Sequence, residues 1–225
     1  MENVKKQIIS EEDIYKILKI NNQNISKTAI KWKLFNYIKK NSLVRVGEKK
    51  YVKRGEIYSY TYQSQLTKDI DNFLYNLYPA LKIVIWENKQ LNEWLNLLLS
   101  TNIIYIEVEK EFVDYVFFAI NDKFKKHHLV LLNPSNDTIS TYLREDLIIV
   151  KTLYSKAPVS HYDRKIRLEK LAVDTYCGKM QLDTRGKIDV ISGIKDNYDI
   201  DVDKMMAYAS RRRVKDKFMQ FLEEI

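Results

Sequence analysis

Residues 24–52, NISKTAIKWKLFNYIKKNSLVRVGEKKYV, combine a capped helical pattern with two β-prone runs around a glycine turn. Ser26 is placed to cap a helix running to about Lys40, because a serine hydroxyl accepts hydrogen bonds from the free amides of a first turn. Ile30, Leu34, Tyr37 and Ile38 recur at helical spacing and predict one buried stripe. Thr28, Lys31, Trp32, Asn36 and Lys39 lie around the opposite side. Leu43-Val44-Arg45-Val46, a turn at Gly47-Glu48, and Lys49-Lys50-Tyr51-Val52 then read as a hairpin. Upstream, Ser10-Glu11-Glu12-Asp13 has the form of a capping box, and Ile14, Ile17 and Leu18 supply an apolar face for a first helix. A polar break, Asn21-Asn22-Gln23-Asn24, separates the two helices.

Helix, turn, helix and basic hairpin in this order predict a winged helix-turn-helix over residues 1–60. A polar, lysine-bearing helix face with an exposed aromatic suits a major groove, where phosphates attract cations and base edges take hydrogen-bonding side chains. The candidate DNA contacts are Ser26, Lys27, Thr28, Lys31, Trp32, Lys33, Asn36 and Lys39 on the helix, with Arg45, Lys49 and Lys50 on the hairpin. Folds of this kind also serve as protein-docking modules, which stands as the plainer alternative. The distribution of charge favours nucleic acid. The chain of 225 residues has a net charge of +8. Residues 1–68 hold 15 Lys and Arg against 6 Asp and Glu, whereas residues 69–225 hold 23 against 24. Positive charge concentrated in one segment marks a polyanion-binding surface more specifically than the same charge spread evenly.

Composition excludes several classes. One cysteine, Cys177, with His127, His128 and His161 cannot build a structural zinc site or an internal disulfide. The five glycines, Gly47, Gly55, Gly178, Gly186 and Gly193, form neither a dinucleotide fingerprint nor a phosphate-binding loop. No cofactor is expected. The start of the chain lacks the apolar core of a signal peptide, and no run is apolar enough to span a bilayer, so a cytoplasmic protein with no membrane partner is expected.

A tyrosine-rich segment around Gly55–Gln63, with Tyr58, Tyr60 and Tyr62, reads as a linker into a second unit over residues 64–225. Ser64 to Leu77 has helical spacing and ends before Pro79. Four apolar runs follow, Lys82–Trp86, Ile103–Val108, Leu129–Asn133 and Leu147–Lys151, separated by helix-like stretches at Leu91–Leu99 and Glu111–Phe124. The alternation predicts an α/β layer with a mostly parallel or mixed sheet. A helical section closes the chain, with segments at Arg164–Cys177 and from Asp203, as N-cap, to Leu222. The expected class is a two-domain α+β or α/β protein.

Three constellations in this second unit have a chemical form. Glu107, Glu109 and Lys110 at a strand end are similar to the acidic-x-Lys signature of metal-dependent nucleases, although the spacing is irregular and solvated strand-end charges are the plainer account. Asp199, Asp201 and Asp203 alternate as nucleotidyltransferase carboxylates do, against the simpler reading of a turn with a capping aspartate. Arg211, Arg212, Arg213 and Lys215 offer a second basic contact. Successive helical residues lie about 100° apart, so three arginines in a row cannot share a face, and one is expected to pair with local acids.

Residues 24–52 together with IVIWENKQLNEW (83–94), YIEVEKEFVDYVF (105–117), LIIVKTLYSKAPV (147–159), LEKLAVDTY (168–176) and KMMAYASRRRVKDKF (204–218) resemble, in their order, the AbiEi-type abortive-infection antitoxins, predicted transcriptional regulators of viral-defence systems. The resemblance runs from about residue 10 to 220. It implies an N-terminal winged helix that represses its own promoter and a C-terminal α/β domain that neutralises a nucleotidyltransferase toxin encoded nearby. It places DNA contacts at Thr28, Lys31, Trp32 and Lys33 and on a wing bearing Arg45, Lys49 and Lys50. The wing turn departs from the family's basic tip in carrying Glu48. The expected function is therefore a non-enzymatic, double-stranded-DNA-binding regulator, with a metal-dependent nuclease or nucleotidyltransferase in the second unit as the alternative.

Overall fold

A computed structural model of the chain describes residues 9–21, 25–39, 43–47, 49–53, 63–143, 146–160, 163–178 and 182–225. The expected linker tyrosines, Gly55, Lys40, Glu48 and His161 lie outside the described residues. The chain divides into two compact units, Met1–Tyr62 and Gln63–Ile225.

The first unit contains β1 (Ile9–Ser10), α1 (Glu11–Asn21), α2 (Lys27–Lys39), β2 (Leu43–Gly47) and β3 (Lys50–Lys53). Ser10 Oγ accepts from the Asp13 backbone N–H at 3.1 Å, and the Asp13 carboxylate accepts in return from the Ser10 N–H at 3.3 Å. This reciprocal box satisfies amides that the first turn leaves without partners. Ser26 Oγ accepts from Ala29 N–H at 3.1 Å and starts α2 in the same way. The three strands form an antiparallel sheet ordered β1-β3-β2, with Ile9 opposite Tyr51 and Leu43 opposite Lys53. Lys49 closes the hairpin in the left-handed region at φ 53, so it lies in the turn and not in the second strand. Ile14, Leu18, Ile30, Leu34 and Tyr51 make the core of this unit. Two residues of the expected apolar stripes lie outside that core: Tyr37 is 39% exposed and Ile17 51% exposed. Among the described residues, two helices and a short sheet form this core, and they cover a narrower strip of each helix than the sequence spacing marks out.

The second unit is a mixed α+β structure around a four-stranded sheet. Its elements are α3 (Gln65–Leu77), β4 (Ile83–Glu87), β5 (Ile103–Val108), α4 (Val113–Phe124), β6 (Val130–Leu132), α5 (Asn136–Thr141), β7 (Leu147–Thr152), α6 (Leu168–Tyr176), α7 (Thr184–Asn197), α8 (Val202–Arg211) and α9 (Lys215–Glu224). The sheet order is β4-β5-β7-β6; β4 is antiparallel to β5, and β5, β7 and β6 are parallel. Helical crossovers through α4 and α5 bring the chain back to start each parallel strand at the same edge. Every residue of β4 and β5 is buried, as a sheet covered on both faces requires. Ile83, Ile85, Ile104, Ile106, Ile148 and Val150 pack on one face against Ile70 and Leu74 of α3 and Val116 and Ile120 of α4. Because side chains alternate along a strand, Trp86, Tyr105, Glu107 and Lys151 point to the other face, where Lys170 of α6 meets Glu107. Helix α6 in turn packs on α7 and α8, and α9 on α8.

Four expected helices are corrected. Leu91–Leu99 is only a short 3-10 turn at Asn88–Glu93, after which the Asn92 side chain holds a loop by accepting from Leu99 N–H at 2.8 Å. Glu111–Phe124 opens as a 3-10 turn at Lys110–Phe112 before α4 begins. The segment at Arg164 is not yet helical: its carbonyl accepts from Ile85 N–H at 2.6 Å, and Lys165 bridges to Ile85, which pairs part of the open edge of β4. The long last helix is two. Arg213 at φ 58 and the bond from Val214 N–H to Ala209 O at 3.0 Å end α8 in a Schellman turn. The N-cap of α8 is Asp201, which accepts from Lys204 N–H at 3.0 Å, and not Asp203. Neither α5 nor α7 was singled out by sequence spacing. No helix among the described residues is long and apolar enough to cross a membrane.

Candidate functional site

Glu107 sits near the carboxyl end of β5, directly opposite Lys151 of β7 in the parallel register. It is 1% exposed. The indole N–H of Trp86 on β4 donates to its Oε1 at 2.9 Å, and the Lys170 ammonium donates to the same oxygen at 2.8 Å. Lys151 Nζ stands 3.5 Å from that oxygen and 4.6 Å from the centre of the Tyr105 ring. Tyr105 stacks on Trp86 with centroids 4.2 Å apart.

Helix α6 extends the array. Lys170 and Asp174 are one turn apart, so both reach the sheet, and Lys170 Nζ donates to Asp174 Oδ2 at 2.5 Å. The other Asp174 oxygen accepts from the Tyr208 hydroxyl of α8 at 3.0 Å and from the Arg212 guanidinium. Arg212 in turn lies over the Tyr154 ring at 4.1 Å. Charges therefore alternate from Lys151 through Glu107, Lys170 and Asp174 to Arg212. An isolated buried charge costs several kcal/mol, about, after relaxation, and such an array forms only when each group has opposite neighbours.

The titration of these groups follows from the same arrangement. Burial raises the Glu107 carboxyl, but the Lys151 and Lys170 ammoniums outweigh it and hold Glu107 below the ordinary carboxylate value. Burial likewise opposes ionisation of Asp174, and Lys170 and Arg212 overcome it. Lys170 is pulled down by burial and raised further by Asp174 and Glu107, so it stays protonated. The Tyr105 and Tyr208 hydroxyls are pushed up, first by burial. A proton-transfer catalyst works best with its pKa near the operating pH. These groups are all driven away from neutrality and constitute a fixed charge array.

A cleft of about 780 Å³ opens over this array at the carboxyl ends of the parallel strands, where open α/β sheets commonly bind ligands. Tyr105, Glu107, Lys151, Asp174 and Arg212 lie along it. The loop after β6 forms one side: Asn133, at φ 43, accepts from Thr152 N–H at 3.0 Å and ties the loop to β7.

Of the acidic candidates, Glu107 is not a solvated strand-end charge but the buried centre of the network. Glu109 and Lys110 are exposed at the rim of the cleft. Asp201 caps α8 and pairs with Lys204 at 2.7 Å, Asp203 is exposed in the first turn, and neither lines the cleft. The two acidic motifs are thus not joined into one centre. Among the described residues, no three His, Cys, Asp or Glu side chains are grouped as metal ligands. The basic run is divided too. Arg211 bonds Ser155 Oγ at 2.5 Å on the cleft wall, Arg212 is drawn into the network, Arg213 stops α8, and Lys215 begins α9.

In the first unit, Lys27, Thr28, Lys31 and Trp32 are exposed, Trp32 by 66%, while Lys33 and Asn36 are half-buried and Ser26 serves as the cap. Phe35, not among the candidates, is 60% exposed beside them. Lys49 is exposed in the hairpin turn; the side chains of Lys39, Arg45 and Lys50 lie outside the described residues.

Lys151, Lys170, Asp174, Tyr105 and Tyr208 escaped the sequence reading. The available signal was polar residues in apolar surroundings: Lys170 and Asp174 at i, i+4 around Leu171-Ala172-Val173, and Glu107 inside the run IIYIEV. Long charged side chains are rarely fully buried unless paired.

Residues 29–225 match DUF6577, a family of unknown function, and the chain belongs to that family. The match begins inside α2 and takes in the whole of the second unit. No curated protein matches the chain.

Proposed function

We propose that the protein is a cytoplasmic DNA-binding regulator: its first unit acts as a winged helix-turn-helix on the promoter of its own gene, and its second unit is a non-catalytic effector domain. The observation that carries this reading is the division of α2 into two faces. Ile30 and Leu34 are buried, while Lys27, Thr28, Lys31 and Trp32 stand in solvent. A large aromatic that stands 66% exposed among lysines suits contact with groove walls and backbone. The concentration of positive charge in residues 1–68 supports a polyanion as partner. For the second unit, the fixed protonation states of Glu107, Asp174 and Lys170 support a scaffold over an acid–base catalyst.

An antitoxin role against a neighbouring nucleotidyltransferase toxin rests on the sequence resemblance. Co-expression with the product of the adjacent gene tests it: relief of growth arrest is expected from the full chain.

The test of DNA binding is fluorescence anisotropy of the full chain with the duplex upstream of its gene, titrated with salt. Affinity should fall linearly on a log–log plot through counterion release. Lys31→Ala should weaken binding to every sequence and reduce the salt slope by about 1, as loss of one phosphate contact does. Salt-insensitive binding, or none, defeats the proposal.

A further inference from the structure

We infer that the cleft over Glu107 binds a mononucleotide, with its phosphate toward Arg211 and its ring toward Tyr105. Nothing in this inference depends on DNA binding by the first unit.

At about 780 Å³ the cleft falls within the usual range of small-molecule sites, roughly 300–1,000 Å³. Its surface is of two kinds. Ile139, Ile149, Leu153 and Pro134 form an apolar part alongside the aromatic Tyr105, and six lysines and arginines stand against four carboxylates in the remainder. The sign of the free charge is set by the network: Glu107 is held by Lys170 and Lys151, and Asp174 by Lys170 and Arg212. Lys170 itself lies behind the lining. The two innermost acids are thereby neutralised from within, and cationic character remains on the wall at Arg211. The Arg211 guanidinium is oriented there by Ser155, with its remaining N–H groups available to a planar or tetrahedral anion.

An independent observation points to a ligand. Tyr105 is 1% exposed and lines the cleft, yet its hydroxyl has no hydrogen-bond partner among the described residues. Buried polar side-chain atoms nearly always have a partner, and Tyr105 borders the cleft, so a ligand seated there is the group that would supply one. A ligand with an apolar ring, polar ring or sugar substituents and a phosphate meets all three features: a hydrogen-bonding group for Tyr105, an apolar wall, and a cationic end. An inorganic anion would use only the last.

Calorimetry and thermal unfolding of the full chain with AMP, GMP, adenosine, guanosine and inorganic phosphate test the inference. A mononucleotide should bind more tightly than its nucleoside and than phosphate, and should raise the melting temperature as ligands selective for the folded state do. Arg211→Gln should weaken nucleotide binding about tenfold or more, as loss of a charge-assisted hydrogen bond does. Tyr105→Phe removes only the unpartnered hydroxyl, so the unliganded protein should melt no lower than the parent, while affinity drops about 2- to 12-fold. Absence of any mononucleotide binding overturns the inference. So does phosphate binding as tightly as the nucleotides, or unchanged nucleotide affinity in both variants.

Discussion

Replacing Lys170 with methionine tests the account of the buried network most directly. The ammonium is fully buried and bonds Glu107 at 2.8 Å and Asp174 at 2.5 Å. At an effective dielectric near 20, each attraction at such distances is worth about 6 kcal/mol. Removing the lysine also removes its own desolvation cost of several kcal/mol, about, and Lys151 and Arg212 remain beside the two acids, so the expected net loss is about 3–5 kcal/mol. Methionine matches the apolar stem of lysine as far as Cε and leaves only the space of the ammonium, which isolates the charge. For a unit of this size each kcal/mol corresponds to about 2–4 °C, giving a fall of about 6–20 °C at neutral pH. The near-ultraviolet circular dichroism of the stacked Trp86 and Tyr105 reports melting of this unit.

The pH dependence supplies a second readout. Glu107 and Asp174 have depressed folded pKa values, so the stability they add is present above their unfolded values, 4.5 and 3.8, and is lost as pH falls through the folded ones. In the Lys170→Met variant Asp174 loses its main cationic partner and Glu107 the second of its two, so both protonate at higher pH. The gap in melting temperature between parent and variant should therefore be largest near neutrality and narrow below about pH 4. A variant that melts within 2 °C of the parent, about, or whose deficit persists unchanged into acid, refutes the reasoning.

Two further outcomes follow from local geometry. Ser64→Ala removes the hydroxyl that accepts from Thr67 N–H at 3.2 Å at the start of α3 and should lower stability by about 1 kcal/mol, read as a lower denaturation midpoint with an unchanged slope. Gly193→Ala, in α7, raises helix propensity by up to about 1 kcal/mol. Its added carbon would lie 2.3 Å from Trp94 Cδ1 and force the indole from its edge contact with Tyr198, so the variant should be less stable, with an overpacking cost of about 1–3 kcal/mol. An increase in melting temperature would contradict that packing.

Local patterns were legible where a single element decides them. Ser10, in reciprocal bonds with Asp13, and Ser26 cap α1 and α2, and the four apolar runs become the four strands of the larger sheet. Helix ends decided at a distance were not. Arg164 is withheld from α6 by pairing with β4, and the break at Arg213 directly follows Arg212, which bonds Asp174, 38 residues earlier.

The first unit and the second differ in how much the sequence could say. For residues 24–52, cap, apolar spacing and glycine turn lie within a few residues of one another, and sequence alone determined a capped helix with a buried Ile30–Leu34 stripe, followed by a hairpin. Even there the solvent exposure of Tyr37 was settled by the width of a small core. The charged network of the second unit was beyond such reasoning. Glu107, Lys151, Lys170, Asp174 and Arg212 come from two strands, a helix and a turn, and a charge read along the chain looks solvated until the elements that bury it are in place. Parallel register set Glu107 beside Lys151, and packing of α6 on the sheet turned Lys170 and Asp174 inward. Only tertiary structure decides burial, and burial is what converts five separated charges into one site.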